Sequence, residues 1–157
     1  MPAPVLKAVF LYNFTKFTEW PADAISAAAP IELCVIDAPE VADALTSVTN
    51  GHTIEDHPLV VRRAALDGGL RGCHLVYASG LDQRRCLALL NAVRGLPVLT
   101  TTDNQEFAEL GGGANLFLDH GKIRFSVNIG ATQRARVTIS SQLLALARIV
   151  KDQPIPR

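Results

Sequence analysis

Short apolar runs rich in β-branched residues alternate with helical stretches, and this restricts the fold more than any other feature of the chain. Residues 31–36, 59–63, 74–78 and 97–100 have the length and composition of buried strands. Residues 40–48 carry Val41, Ala44, Leu45 and Val48 on one helical side, with Pro39 placed for the first turn and Asn50-Gly51 for the end. Asp82 is set to cap a helix running to Val93, and residues 104–110 read as a shorter helix stopped by Gly111, Gly112 and Gly113. Parallel strands need crossovers of helical length. The order therefore predicts a three-layer α/β fold with a mainly parallel, doubly wound sheet, in one domain spanning residues 1–157. After the glycines the pattern changes. Residues 115–118 and 122–127 flank Asp119-His120-Gly121, which predicts an antiparallel hairpin at one edge of that sheet. A helical turn is expected over 129–134. A final helix over 142–151, capped by Ser140 or Ser141, would bury Leu143, Leu144, Leu146, Ala147 and Val150, with Pro154 and Pro156 closing the tail.

Residues 7–21 concentrate the aromatic side chains. Of six Phe, two Tyr and one Trp in the protein, Phe10, Tyr12, Phe14, Phe17 and Trp20 fall here. Wound as a helix ending at Trp20-Pro21, the segment places Leu6, Phe10, Phe14, Phe17 and Trp20 on one broad face. Lys7, Thr15, Thr18 and Glu19 form a narrow polar strip. A helix so apolar needs burial, either on its own sheet or against a partner. The expectation is that Phe14, Phe17 and Trp20 supply burial for the domain or a dimer, with Tyr12 and Lys16 on a more exposed side.

Hydrophobic content of 48% and charged content of 19% suit a packed domain rather than a disordered chain. Fifteen basic residues balance fifteen acidic ones, which points away from nucleic acid and from an anionic membrane surface. No apolar run reaches the length of a membrane span, and the first residues lack the basic and small-residue pattern of a signal peptide. The expectation from these residues alone is a cytoplasmic protein, or a mature form whose signal was replaced by Met1.

The strand-end loops hold no recognisable catalytic set. A dinucleotide site needs Gly-x-Gly-x-x-Gly after the first strand, where Asp37-Ala38-Pro39-Glu40 stands instead. The three glycines follow a helix and precede a strand, the wrong order for a phosphate cradle, and read as a flexible turn. A receiver-like phosphotransfer site fails because the third strand ends Ala78-Ser79 and no lysine follows Leu118 in place. His52, His57, His74 and His120 show no metal-ligand spacing, and Ser79 lacks the first glycine of a nucleophile elbow. Neither catalytic residues nor a metal or cofactor is expected.

Cys34 lies inside the first strand and Cys73 just before the third, which are neighbours in a 2-1-3 strand order. A disulfide and two buried free thiols are equally open on this reading. The bond would stabilise the fold by roughly 4 kcal/mol through the loop it closes. Cys86 has no evident partner.

Taken together, Phe10 to Pro21, Leu33-Cys34-Val35-Ile36, Cys73-His74-Leu75-Val76-Tyr77, Pro97 to Thr100, Lys122 to Asn128 and Ile139 to Ala147 resemble the successive hallmarks of the YfiR family. The likeness runs through nearly the whole chain. It implies a periplasmic, non-enzymatic protein exported behind a cleaved signal, with a mainly parallel α/β fold. It further implies repression of an inner-membrane diguanylate cyclase, YfiN, through that enzyme's periplasmic sensing domain, lowering cyclic di-GMP and biofilm formation. A homodimer and redox sensitivity through disulfides are implied as well. By the same resemblance Cys34 and Cys73 are bonded. A second family disulfide has no counterpart, because residues 106–117 contain no cysteine. The alternatives are a periplasmic sensing or ligand-binding module for another membrane protein such as a histidine kinase, and a cytoplasmic small-ligand domain or enzyme.

Overall fold

Helix α1 (Ala3–Lys16) starts at Pro2 and carries Pro4 in its first turn, where a missing N–H costs nothing. It stops at Lys16, short of Trp20. The Thr18 hydroxyl donates to the Phe14 carbonyl at 2.6 Å, and strand β1 (Thr18–Glu19) leaves the helix axis to pair antiparallel with Thr138–Ile139. Ser140 N–H donates to the Phe17 carbonyl at 2.8 Å and locks that departure. The buried face is also rotated from the one expected: Ala8, Leu11, Phe14 and Thr15 point inward. Thr15 and Thr18 are buried rather than forming a polar strip, their hydroxyls satisfied by the carbonyls of Leu11 and Phe14. A helix apolar on most sides gives periodicity little to choose between.

The computed structural model describes residues 1–153, so the expected tail at Pro154 and Pro156 lies outside the described residues. After β1 come β2 (Ile31–Ile36), α2 (Pro39–Thr49), β3 (Thr53–Ile54), β4 (His57–Arg63), β5 (Leu75–Ala78), α3 (Gln83–Ala92) and β6 (Leu99–Thr102). The chain continues through β7 (Ala114–Asp119), β8 (Lys122–Asn128), α4 (Ile129–Arg134), β9 (Thr138–Ile139), α5 (Ser141–Leu144) and β10 (Arg148–Val150). The main sheet runs β10-β8-β7-β6-β5-β2-β4-β3. Strands β4, β2, β5, β6 and β7 run parallel to one another, and β7–β8 is the expected antiparallel hairpin. The expected mainly parallel α/β architecture, with its hairpin and N-terminal helix, is thus the observed one.

Alternating residues of the central strands serve two cores. Leu33 and Val35 of β2, Leu75 and Tyr77 of β5, and Leu116 of β7 pack under α1 and α2. Cys34, Ile36, Val76 and Ala78 face the other side, where Cys86, Leu89 and Val93 of the α3 region meet Leu70 and Phe107. Continuous apolarity is what a parallel strand covered on both faces requires.

Three local expectations give way. Residues 104–110 form successive turns instead of a helix: Asn104 turns its side chain to the Leu81 carbonyl and the Glu106 N–H, competing with helical bonding. The helix expected over 142–151 is the single turn of α5, which Ser140 caps. Arg148–Val150 then extends as β10, parallel to β8. The base of the hairpin consequently stands one strand inside the sheet edge, where β10 pairs with Ser126, Val127 and Asn128 of β8. Leu143 and Val150 are buried as expected, whereas Leu146 is 76% exposed. At the opposite edge, β3 joins β4 through Glu55 and Asp56, both at positive φ. This tight turn lacks the Asn-Gly or Asp-Gly signature that would announce it.

Candidate functional site

The five aromatic residues of the N-terminal segment occupy three separate environments. Phe10 and Phe14 join Phe125 of β8 in a cluster with ring centroids 4.9 to 5.8 Å apart, at angles typical of favourable aromatic pairs. Tyr12 turns outward over His52, at 5.5 Å, with the Lys16 ammonium 5.3 Å from its ring centre. Phe17 and Trp20 line a cavity of about 530 Å³ at the end of α1, together with Ile25, Ile31, Ile54 and His57.

Trp20 also belongs to a hydrogen-bonded hub. Its indole N–H donates to the His74 carbonyl at 2.8 Å, and the two rings meet edge to face. The His74 ring is buried. Its Nδ1 accepts the Glu32 N–H at 2.9 Å, and its Nε2 lies 3.0 Å from the Ala24 carbonyl. A ring nitrogen accepting at Nδ1 and facing a carbonyl at Nε2 is the neutral tautomer protonated on Nε2. His74 thereby ties the linker after Trp20 to the starts of β2 and β5. Sequence reasoning placed this histidine in a strand and missed its role; nothing local signals a partner as distant as Ala24.

Beside the hub, Cys34 and Cys73 are joined by a disulfide with Cα atoms 5.9 Å apart. Arg62 of β4 holds the approach to Cys73. Its guanidinium donates to the Gly69 carbonyl at 2.6 Å, to Glu32 at 3.3 Å and toward the Cys73 sulfur at 3.2 Å. Cys86 is a buried free thiol, pushed up to about 11 by burial and then by the charges of Asp82, Asp103 and Glu106.

At the carboxyl ends of the strands, where doubly wound sheets often receive ligands, Asp103 accepts from the Ser79 hydroxyl at 2.6 Å and the Gly80 N–H at 2.9 Å. The Lys7 ammonium approaches Asp103 at 3.9 Å. Asp37 is paired with Arg85 at 2.8 Å. The Tyr77 hydroxyl is buried without a hydrogen-bond partner among the described residues, and burial raises its pKa above the usual phenol range, with the Asp103 charge adding to the rise. Apart from Tyr77, these groups are paired with one another across the loops. None of the pockets described lies over the Tyr77 hydroxyl. Among the described residues, no group of three or more His, Cys, Asp or Glu side chains is arranged to hold a metal ion. No described helix is long and apolar enough to cross a membrane.

The arrangement is that of a disulfide-linked, three-layer α/β domain whose polar groups are engaged in holding loops. The chain belongs to the YfiR/HmsC-like family (DUF4154), whose model matches residues 4–148. That family is regulatory rather than catalytic. Among solved structures, a conserved domain protein from Vibrio cholerae O1 biovar El Tor is similar with a TM-score of 0.63 at 15% identity, over 94% of this chain and 60% of that one. An ABC domain from Streptococcus pneumoniae, solved in complex with L-Trp, is similar with a TM-score of 0.59 at 10% identity, again over 94% of this chain and 60% of that one. At such identities the likeness is one of fold. The chain spans about 60% of the length of either protein.

Proposed function

We propose that this protein is a periplasmic repressor that binds the periplasmic sensing domain of an inner-membrane diguanylate cyclase. It holds cyclic di-GMP production and biofilm formation down, and acts as a homodimer of one YfiR-like domain. The observation that carries this reading is the family match across residues 4–148. The Cys34–Cys73 bond supports it, since such bonds persist in oxidising compartments such as the periplasm. In this reading Phe10 and Phe14 serve the fold. Phe17 and Trp20 hold the end of α1 against β9 and the linker, and Tyr12 stays accessible.

The test is co-purification with the periplasmic domain of the membrane cyclase encoded beside this gene, paired with a cyclic di-GMP reporter in cells lacking the gene. Repression predicts a stable complex, a raised reporter signal on deletion, and its return to baseline when the protein is restored to the periplasm. Failure to form the complex, with an unchanged reporter, would sink the proposal.

A further inference from the structure

A second cavity, of about 550 Å³, opens at the amino end of β6 and shares no lining residue with the Trp20 cavity. Its volume falls in the range of small-molecule sites. Leu90, Leu96 and Leu110 are half-buried along its wall, and the buried Val93 completes the apolar side. Gly111 and Gly113 line it. A Cβ on Gly113 would come within 2.9 Å of the Thr100 carbonyl and of Leu99, and one on Gly112 would strike the Phe107 ring. These close approaches let the turn pack onto β6 and Phe107, so the glycines are not simply a flexible loop.

The polar groups on the rim are few and unequal. Arg134 is paired with Asp152 at 3.2 Å, and Asp152 also accepts from the Asn128 amide at 2.6 Å, bonds that hold its carboxyl below the usual carboxylate range. That pair is therefore neutral as a unit. Arg94 is exposed and engaged by no carboxylate among the described residues. Thr100, 5% exposed, accepts the Gly113 N–H at 2.9 Å, and its own proton goes to no acceptor among the described residues. One free cation and one hydroxyl donor beside an apolar wall suit a single carboxylate on an apolar body. A phosphate is a poorer fit. The N–H groups of Gly111, Gly112 and Gly113 are already bonded to Ala108, Phe107 and Thr100, which leaves no backbone nest for it.

The geometry points to this cavity as a binding site for a small organic monocarboxylate, with Arg94 and Thr100 holding the carboxylate and Leu90, Leu96 and Leu110 the apolar body. The site does not depend on the repressor reading, because it is tested on the purified protein alone. The probe is 4-phenylbutyrate, titrated against the disulfide-intact protein and followed by amide and methyl NMR, with 4-phenylbutanamide as the neutral analogue. Saturable shifts are expected at Leu90, Leu110 and Ala131, with Ile31 and Ile54 of the other cavity unmoved. Removing the charge, in the amide or in Arg94→Gln, should weaken binding about tenfold. Ala135→Phe, which fills the cavity, should abolish it. Binding at the Trp20 cavity alone, equal binding of the amide, an unaffected Arg94→Gln variant, or no saturation by roughly 10 mM would each overturn the assignment.

Discussion

The indole nitrogen of Trp20 sits 2.8 Å from the main-chain carbonyl of His74, joining positions 54 residues apart. Through His74 this one bond reaches Glu32 N–H and the Ala24 carbonyl, so the end of the aromatic segment, the linker and two central strands share a fastening. Trp20→Phe keeps an aromatic ring and removes the donor, leaving the His74 carbonyl with its other partner alone, the Leu99 N–H at 2.9 Å. Stability should fall by about 0.5–1.5 kcal/mol, read as a lower urea midpoint by circular dichroism with the slope unchanged. An unchanged midpoint would show that the hydrogen bond contributes nothing.

The disulfide closes a separation of 39 residues between Cys34 and Cys73. Replacing both cysteines with alanine, or unfolding in reductant, should cost about 2–5 kcal/mol of stability. Mass spectrometry of unreduced, denatured protein should find only Cys86 alkylated. Alkylation of all three cysteines would contradict the bond.

Native Cys86 should resist alkylation at pH 8 and react at once after unfolding, since its thiol is buried and pushed up to about 11. The unfolded thiol titrates near 8.5. A folded value raised above the unfolded one gives stability that is complete below the unfolded value and is lost as pH rises through about 11. Wild-type stability should therefore decline more steeply than that of Cys86→Ala across this alkaline window. Parallel pH profiles would refute the assignment.

On α1, Leu11 is fully buried while its neighbour Tyr12 sits partly exposed over His52. Leu11→Ala should destabilise the protein by about 2–5 kcal/mol through lost burial and an unfilled cavity. Tyr12→Ala should cost markedly less. Comparable losses, measured by urea unfolding, would mean that the inward face of α1 has been misassigned.

Much of the fold is readable in short stretches because its causes are local. The β-branched run at 31–36 has the composition of a strand covered on both faces, and Asp82 caps α3 by accepting the Arg85 N–H at 2.9 Å. At the hairpin, His120 and Gly121 both take positive φ, as the turn chemistry demands. The candidate sites are less readable. The residues alone place the cysteines on neighbouring strands and leave a free pair equally open; the family resemblance implies the bond, and the 5.9 Å Cα separation accommodates it. Nothing near Gly111–Gly113 indicates that Gly111 and Gly113 line a cavity beside Arg94.

The chain alone determined the alternation of β2, α2, β4, β5, α3 and β6, the β7–β8 hairpin, the two-sided apolarity of the central sheet and the family to which the residues correspond. Only the tertiary structure decided where α1 stops, which of its faces is buried, and that residues 148–150 extend beside β8 instead of continuing a helix. Periodicity and capping act over a turn or two of chain. Pairing of Thr18 with Ile139, or of Ile149 with Val127, satisfies backbone groups across the fold and overrides a helical preference that is small for each residue.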